Sequence, residues 1–403
     1  MPWASSAYRS WSLAPVWSAV GRIGPAWIVA AASLGLSLIG LYSIDVADSP
    51  AVPDPWRPGP TSSKQAVFLA ISLLSACLIV IPNYRWVARG AWLFYAASLC
   101  LLVFLLLPGV PWSVVSPRNG ARSWINLGFT DFQPSEPAKI AYAVALAWYM
   151  RFRTEHRRFA GLVPPAIITA VPIGLIMLQP DLGTATLFVP ALFAALIAAG
   201  ARLRHLAIIV MLSATAAPAV YPALRPHQQQ RIVGLLKQLQ GDTSEDQDLN
   251  FQAATARTLA AAGGLTGLAE DRSRALVHYN RLPERHNDMI AAVILNRFGV
   301  LGGVAVLGLH LIWFAGALAC AALTKDPFGR LLIVTLAAFV AAQVFINVGM
   351  NVGLLPIIGI TLPYVSYGGS SLLTVWVMVG LMMNVMMRRP KSGPRRSFEF
   401  VQD

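Results

Sequence analysis

Residues 132–150 read FQPSEPAKIAYAVALAWYM. Glu136 and Lys139 stand three residues apart beside two prolines, and Ile140 then opens a run without a charge. The rest of the chain repeats this alternation of short polar mouths and long apolar runs. Of 403 residues 56% are hydrophobic and 12% charged, where a soluble domain carries about a quarter of its residues as charges. Apolar stretches of about 20 residues, the length needed to cross a bilayer, recur along most of the length. Lipid offers a bare backbone no partner, so such stretches must be helices or closed barrels, and unbroken apolarity without period-two alternation excludes the barrel. The fold class is therefore all-α: a polytopic transmembrane helical bundle of about ten spans.

Spans are expected near residues 26–44, 67–82, 91–108, 137–151, 163–179, 183–200, 205–221, 299–323, 331–350 and 371–388. Residues 1–25 form a Trp-rich arm at the membrane surface with no cleavable signal pattern. Residues 26–388 form one membrane domain with no internal repeat, and residues 221–298 within it form a large outer loop. Residues 389–403 are a basic tail. With both termini cytoplasmic, the inner segments hold 17 Lys and Arg, among them Arg9, Arg22, Arg151, Arg153, Arg157, Arg158, Arg388 and Arg389, against the four acids Glu155, Asp326, Glu399 and Asp403. That is a strong positive-inside bias. The net charge of +13 thus lies on the cytoplasmic face, where anionic lipid explains it without nucleic acid. Cys77, Cys100 and Cys320 fall inside spans, and no Cys/His pair has metal-ligand spacing, which argues against disulfides and structural zinc.

The same topology puts four polar motifs on one side. RNGARSWINLGFTDFQPSEPAK (118–139), QPDLG (179–183), RLPERHNDM (281–289) and PYVSYGGSS (363–371) all reach the outer face. Ionisable groups at a lipid boundary are costly unless they pair or face water, so Arg118, Arg122, Glu136, Lys139, Asp181 and Asp288 are expected to line a shared polar cavity. Each also has a plainer reading. Glu136 and Lys139 have the spacing of an ion pair on a first helical turn that Ser135 could cap. Asp181 could cap the helix that follows it. PYVSYGGSS could be only a hinge, and Arg118 and Arg122 only solvated loop charges, although guanidinium groups also bind pyrophosphate bidentately. Asp288 stands where the sequence turns apolar, and desolvation there would raise its pKa toward that of a useful base, unless it merely caps a helix or pairs with Arg285.

NGARSWINLGF with FQPSEPAKI, then QPDLGTA, LPERHNDMIAAVI and NVGMNVGLLPIIGITLPYVSYGGSSLL resemble, in order and spacing, signature stretches of the shape, elongation, division and sporulation (SEDS) family of RodA/FtsW-like proteins. LGLSLIGLYS in the first span and HQQQRIVGLL in the outer loop extend the likeness over nearly the whole chain. The resemblance implies a ten-helix peptidoglycan glycosyltransferase that polymerises lipid II into glycan strands at the outer face of the bacterial cytoplasmic membrane, in cell elongation or division. It further implies release of undecaprenyl pyrophosphate, a class B penicillin-binding protein (a transpeptidase) as partner, and Asp288 as the catalytic carboxylate. Departures from the family pattern are Pro137 after Ser-Glu, LNRFG with Asn296 and Arg297 where acids are usual, and GGLTGLAEDRS in place of a Gly-Lys-Gly element.

In that chemistry a sugar hydroxyl attacks the anomeric carbon of the growing chain. Asp288 would serve as base, with Arg118, Arg122 and Lys139 stabilising the pyrophosphate, either alone or with a divalent cation such as Mg or Mn. Glu136, Asp181, Ser370 and Ser371 complete the candidate substrate contacts. The partner's extracellular part is expected on short helices in the loop from Tyr221 to Asp288, residues 240–250 included. A lipid II transporter and an inactive scaffold are the rival classes; transporters tend to place ionisable groups at the midplane, whereas here they stay at one face.

Overall fold

The computed structural model describes residues 24–48, 58–115, 121–128, 130–223, 229, 233 and 251–389. The N-terminal arm to residue 23, Arg118, most of HQQQRIVGLL, residues 240–250 and the tail from residue 390 lie outside that set. Ten helices coincide with the ten expected spans: α1 (Ala26–Asp48), α2 (Pro60–Val80), α4 (Ala91–Leu106), α5 (Ser135–Met150), α6 (Val163–Leu178), α7 (Leu182–Ala199), α8 (Leu203–Val220), α11 (Ile290–Leu323), α12 (Pro327–Asn351) and α13 (Gly369–Met387). A short α3 (Tyr84–Arg89) bridges α2 and α4, and the outer loop folds into α9 (Phe251–Ala262) and α10 (Glu270–Tyr279). Two-residue strands β1 (Ile125–Asn126) and β2 (Asp131–Phe132) pair antiparallel just before α5.

Among the described residues, seven of these helical segments are long and apolar enough to cross a membrane, and Ala91–Leu106 and Leu203–Thr215 are shorter apolar helices. The helix α5, which carries Glu136 and Lys139, is the most protein-surrounded: twelve of its sixteen residues are buried. It packs against α4 and α12, while α13 packs on α2 and α11 on α1. Several polar side chains inside the bundle are satisfied locally. Ser33, Ser37, Ser72 and Thr335 each donate to the carbonyl four residues back, at 2.7–2.8 Å. Trp313 and Trp376 then donate to the Ser33 and Ser37 hydroxyls and tie α11 and α13 to α1.

The helix α11 is broken at Gly299, whose φ of +67 is open only to glycine without strain. A Cβ there would meet the Leu265 carbonyl. The GGLTGL stretch docks into this break through Val300 N–H to Gly264 O at 2.9 Å, Leu301 N–H to Leu265 O at 3.1 Å and Leu268 N–H to Asn296 O at 3.1 Å. The departure from Gly-Lys-Gly is thus a backbone splice between loop and span. The short outer-loop helices expected near the membrane surface are α9, packed on α11, and α10, packed on α1 and α11. Arg274 of α10 holds Asp45 at 2.6 Å and Glu270 at 2.8 Å, with its own side chain 1% exposed.

Candidate functional site

A cavity of about 960 Å³ opens where the four polar motifs meet. Its lining includes Glu136, Asp181, Asp288, Ser370 and Ser371 of the expected set. The N-cap position of α11 belongs to Met289, which makes no side-chain cap, and Asp288, 6% exposed, stands one residue before it. Its main chain is clasped: Asn347 and Asn351 of α12 donate to the Asp288 carbonyl at 2.9 and 2.8 Å. Asn347 also donates to Ile360 O at 2.7 Å, and the Asn351 side-chain oxygen accepts from Ala292 N–H at 3.3 Å. Two buried amides one helical turn apart thus lock three segments of the cavity wall together.

PYVSYGGSS is laced into the same wall. Tyr367 N–H donates to His286 O at 2.8 Å, Ser366 Oγ to Asn287 O at 2.6 Å, and Gln65 of α2 binds Ser366 O and Gly368 N–H at 3.1 and 3.2 Å. These bonds replace the hinge reading. Ser370 Oγ accepts from Gln133 N–H and donates to Asp131 O, both at 3.2 Å, and Ser371 Oγ lies 3.3 Å from Thr361 Oγ1. Asp181 caps α7 as expected, accepting from Thr184 N–H at 3.0 Å, while its second oxygen accepts from Gln133 Nε2 at 3.2 Å. It is both cap and cavity wall.

The cations are placed differently from the expectation. Lys139 is fully buried with Nζ 2.9 Å from both Glu136 oxygens, and it does not line the cavity. The apolar surroundings of α5 make that pairing obligatory, so of the two readings of this spacing the ion pair is the one the structure shows, with Lys139 off the cavity. Ser135 does not cap α5: the N-cap is Pro134 without a side-chain bond, and the Ser135 hydroxyl has no hydrogen-bond partner. Arg122 lies outside the lining and its Nη2 donates to Val110 O at 3.4 Å. Lys64, at the start of α2, is the single Lys or Arg lining the cavity among the described residues, and reading the sequence missed it. Gln133, Asn287 and Gln343 were missed as well. An amide repeating every four residues in an otherwise apolar span, at Gln343, Asn347 and Asn351, was the available signal.

His286, in the loop before Asp288, lies 3.3 Å from Asp48. Burial lowers its pKa and outweighs the Asp48 charge that raises it, so the ring is neutral near pH 7. Among the described residues no three His, Cys, Asp or Glu side chains converge as ligands for a metal.

The sequence from residue 25 to residue 391 matches the FtsW, RodA and SpoVE family of cell cycle proteins. The chain belongs to this family. It is 31% identical over 374 residues to a probable peptidoglycan glycosyltransferase FtsW of Thioalkalivibrio sulfidiphilus, covering 92% of this chain and 90% of the relative. Stage V sporulation protein E of Bacillus subtilis is 33% identical over 332 residues, with 80% and 86% covered. Among solved structures, a chain of a peptidoglycan synthase complex described as coordinating polymerization and crosslinking superposes with a TM-score of 0.75 at 30% identity, over 91% of this chain and 98% of that one. The rod shape determining protein RodA of Thermus thermophilus superposes with a TM-score of 0.64 at 27% identity, over 90% and 97%.

For a member of the FtsW, RodA and SpoVE family, LNRFG is the departure that most needs placing. Neither Asn296 nor Arg297 lines the cavity. Asn296 is fully buried, accepts from Ser273 Oγ at 2.7 Å and donates to Leu259 O at 2.8 Å, joining α10 and α9 to α11. Arg297 donates to Leu268 O at 2.9 Å and to the Tyr42 hydroxyl at 3.0 Å. This departure is therefore a change in how the loop carrying α9 and α10 is fastened to α11 and α1.

Proposed function

We propose that the chain is a peptidoglycan glycosyltransferase of the cytoplasmic membrane that polymerises lipid II at the outer face, with Asp288 as general base. The observation that carries this reading is the buried Asp288 carboxylate on the wall of a cavity formed by all four polar motifs. The attacking sugar hydroxyl gives its proton to Asp288 as its oxygen forms the bond to the anomeric carbon of the growing chain. The bond from that carbon to undecaprenyl pyrophosphate breaks, and the diphosphate leaves with the electron pair. Lys64 is the cation in reach of the departing charge from within the lining. Glu136, paired with Lys139, and Asp181 shape the polar wall. Purified protein in vesicles with fluorescent lipid II tests the reading: glycan ladders support it, whereas dye crossing the bilayer or no change at all would place the chain among transporters or scaffolds.

If Asn347 positions the base, Asn347→Ala lowers kcat for polymerisation on the order of tenfold or more with KM little changed, since small misplacements of a reacting group are expensive. A loss confined to protein yield would count against the clasp.

The orientation proposed here has both termini cytoplasmic, and the partner, a class B penicillin-binding protein, contacts the outer face of α9 and α10. Ser273, a natural choice for labelling the outer loop, is buried against Asn296. Tyr279 is 83% exposed and replaces it. A membrane-impermeant thiol reagent should label Tyr279→Cys in intact cells and spare Thr154→Cys. The reverse pattern would invert every side assignment.

A further inference from the structure

One turn of α12 inward from Asn347 lies Gln343. Its side chain is 1% exposed, it lines the cavity together with Leu187, and its Oε1 has no hydrogen-bond partner. Gln343 precedes Asn351 by eight residues, about 12 Å along the helix, so it marks how far the cavity reaches into the span. Asn347 and Asn351, on the same face, have both the oxygen and the nitrogen of their amides engaged at 2.7–3.4 Å, Asn347 Oδ1 accepting from Asn351 Nδ2. Of these three α12 amides, Gln343 alone lines the cavity and alone has an empty acceptor. An apolar side chain of equal volume would pack there without stranding a polar atom, and a buried polar group at lipid depth is retained for a reason other than stability.

The chemistry of the acceptor limits its ligand. A carbonyl oxygen repels an anion, and Glu136, Asp181 and Asp288 line the same cavity, while among the described residues Lys64 is the one Lys or Arg in its lining. A diphosphate is thus drawn toward Lys64 and a neutral hydrogen-bond donor toward Gln343. We propose that Gln343 is a substrate-binding residue at the inner end of the cavity, accepting a hydrogen bond from a neutral sugar donor, a hydroxyl or an acetamido N–H, of the lipid-linked substrate. This rests on the lipid-linked sugar substrate assigned above.

The test measures binding of lipid II to the full-length chain in lipid nanodiscs, which needs no turnover. Gln343→Leu should raise Kd about tenfold, because it removes the bond and strands the donor in a dry site. KM for polymerisation should rise in parallel with kcat within about twofold. Thermal stability should be unchanged or higher, since an unpaired polar atom has gone. A Kd within twofold of the parent, or a loss of stability that accounts for the lost binding, overturns the proposal; Gln343→Met carries the same test if the leucine variant does not fold. Because Kd is read without catalysis, a parent that binds lipid II but makes no glycan sinks the glycosyltransferase reading while leaving this one to stand or fall on its own.

Discussion

Asp288→Ala should abolish detectable polymerisation of lipid II while leaving insertion, folding and partner binding intact. A positioned general base supplies about 10²–10⁴-fold, and the substitution removes a carboxylate whose backbone is held independently by Asn347 and Asn351. The main-chain carbonyl those amides bind is still present in alanine, so the wall keeps its shape. Asp288→Asn should behave the same way, because it preserves size and loses the base. Loss of a helix cap would look different, costing about 1 kcal/mol of stability with activity retained, and α11 has no side-chain cap to lose. Near-normal glycan synthesis by Asp288→Ala in reconstituted vesicles would move the search for the base to Asp181 or Glu136.

The second large effect is on stability. Arg274 is 1% exposed and bonded to Asp45 and Glu270, which are 15% and 29% exposed. Removing one partner of a buried pair costs about 3–5 kcal/mol, and the water that reaches Glu270 places Arg274→Ala near the lower end. The α10 helix should detach from α1 and show faster hydrogen exchange over residues 251–279. By contrast Arg153→Ala, which breaks a pair exposed by 48% and 66%, should change nothing measurable. Acid gives an independent check. Burial pushes the Glu270 carboxyl up, but hydrogen bonds from Arg274 and Tyr42 and the nearby guanidinium charges outweigh it, leaving the pKa below 4.5. Its contribution is then complete above pH 4.5 and is lost as pH falls through the lowered value. An Arg274→Ala protein as stable as the parent would show that the outer loop is held elsewhere, the Gly299 splice being the alternative.

Helices at all ten expected positions were legible because lipid demands uninterrupted apolar runs; among the described residues seven are long and apolar enough to cross a membrane, and the run from Ile140 to Met150 is walled by protein. The break inside α11 was legible only as a boundary, since the expected span began at residue 299 and the nine helical residues before it read as loop. Their helix depends on the GGLTGL backbone docking at Gly299, a contact between distant segments. At the site, residue type placed Glu136, Asp181 and Asp288 on the cavity wall but did not tell where the cations point. Lys139, Arg122 and Lys64 are alike in residue class, and the packing of α5 and the loop around Val110 decides that, of these three, Lys64 meets the cavity. Asn347 and Asn351 were hidden for a related reason: an amide in a span is read as functional only once its partner is known, and theirs is a carbonyl about 60 residues earlier in the chain.

The most direct measurement is a structure of the full-length Asp288→Asn variant with lipid II bound, determined in lipid nanodiscs with the partner present. A sugar hydroxyl within about 3.2 Å of the residue-288 side chain, or one water away, with the diphosphate toward Lys64, is the expected result. Lipid II lodged outside this cavity, with its sugars beyond reach of residue 288, would contradict it.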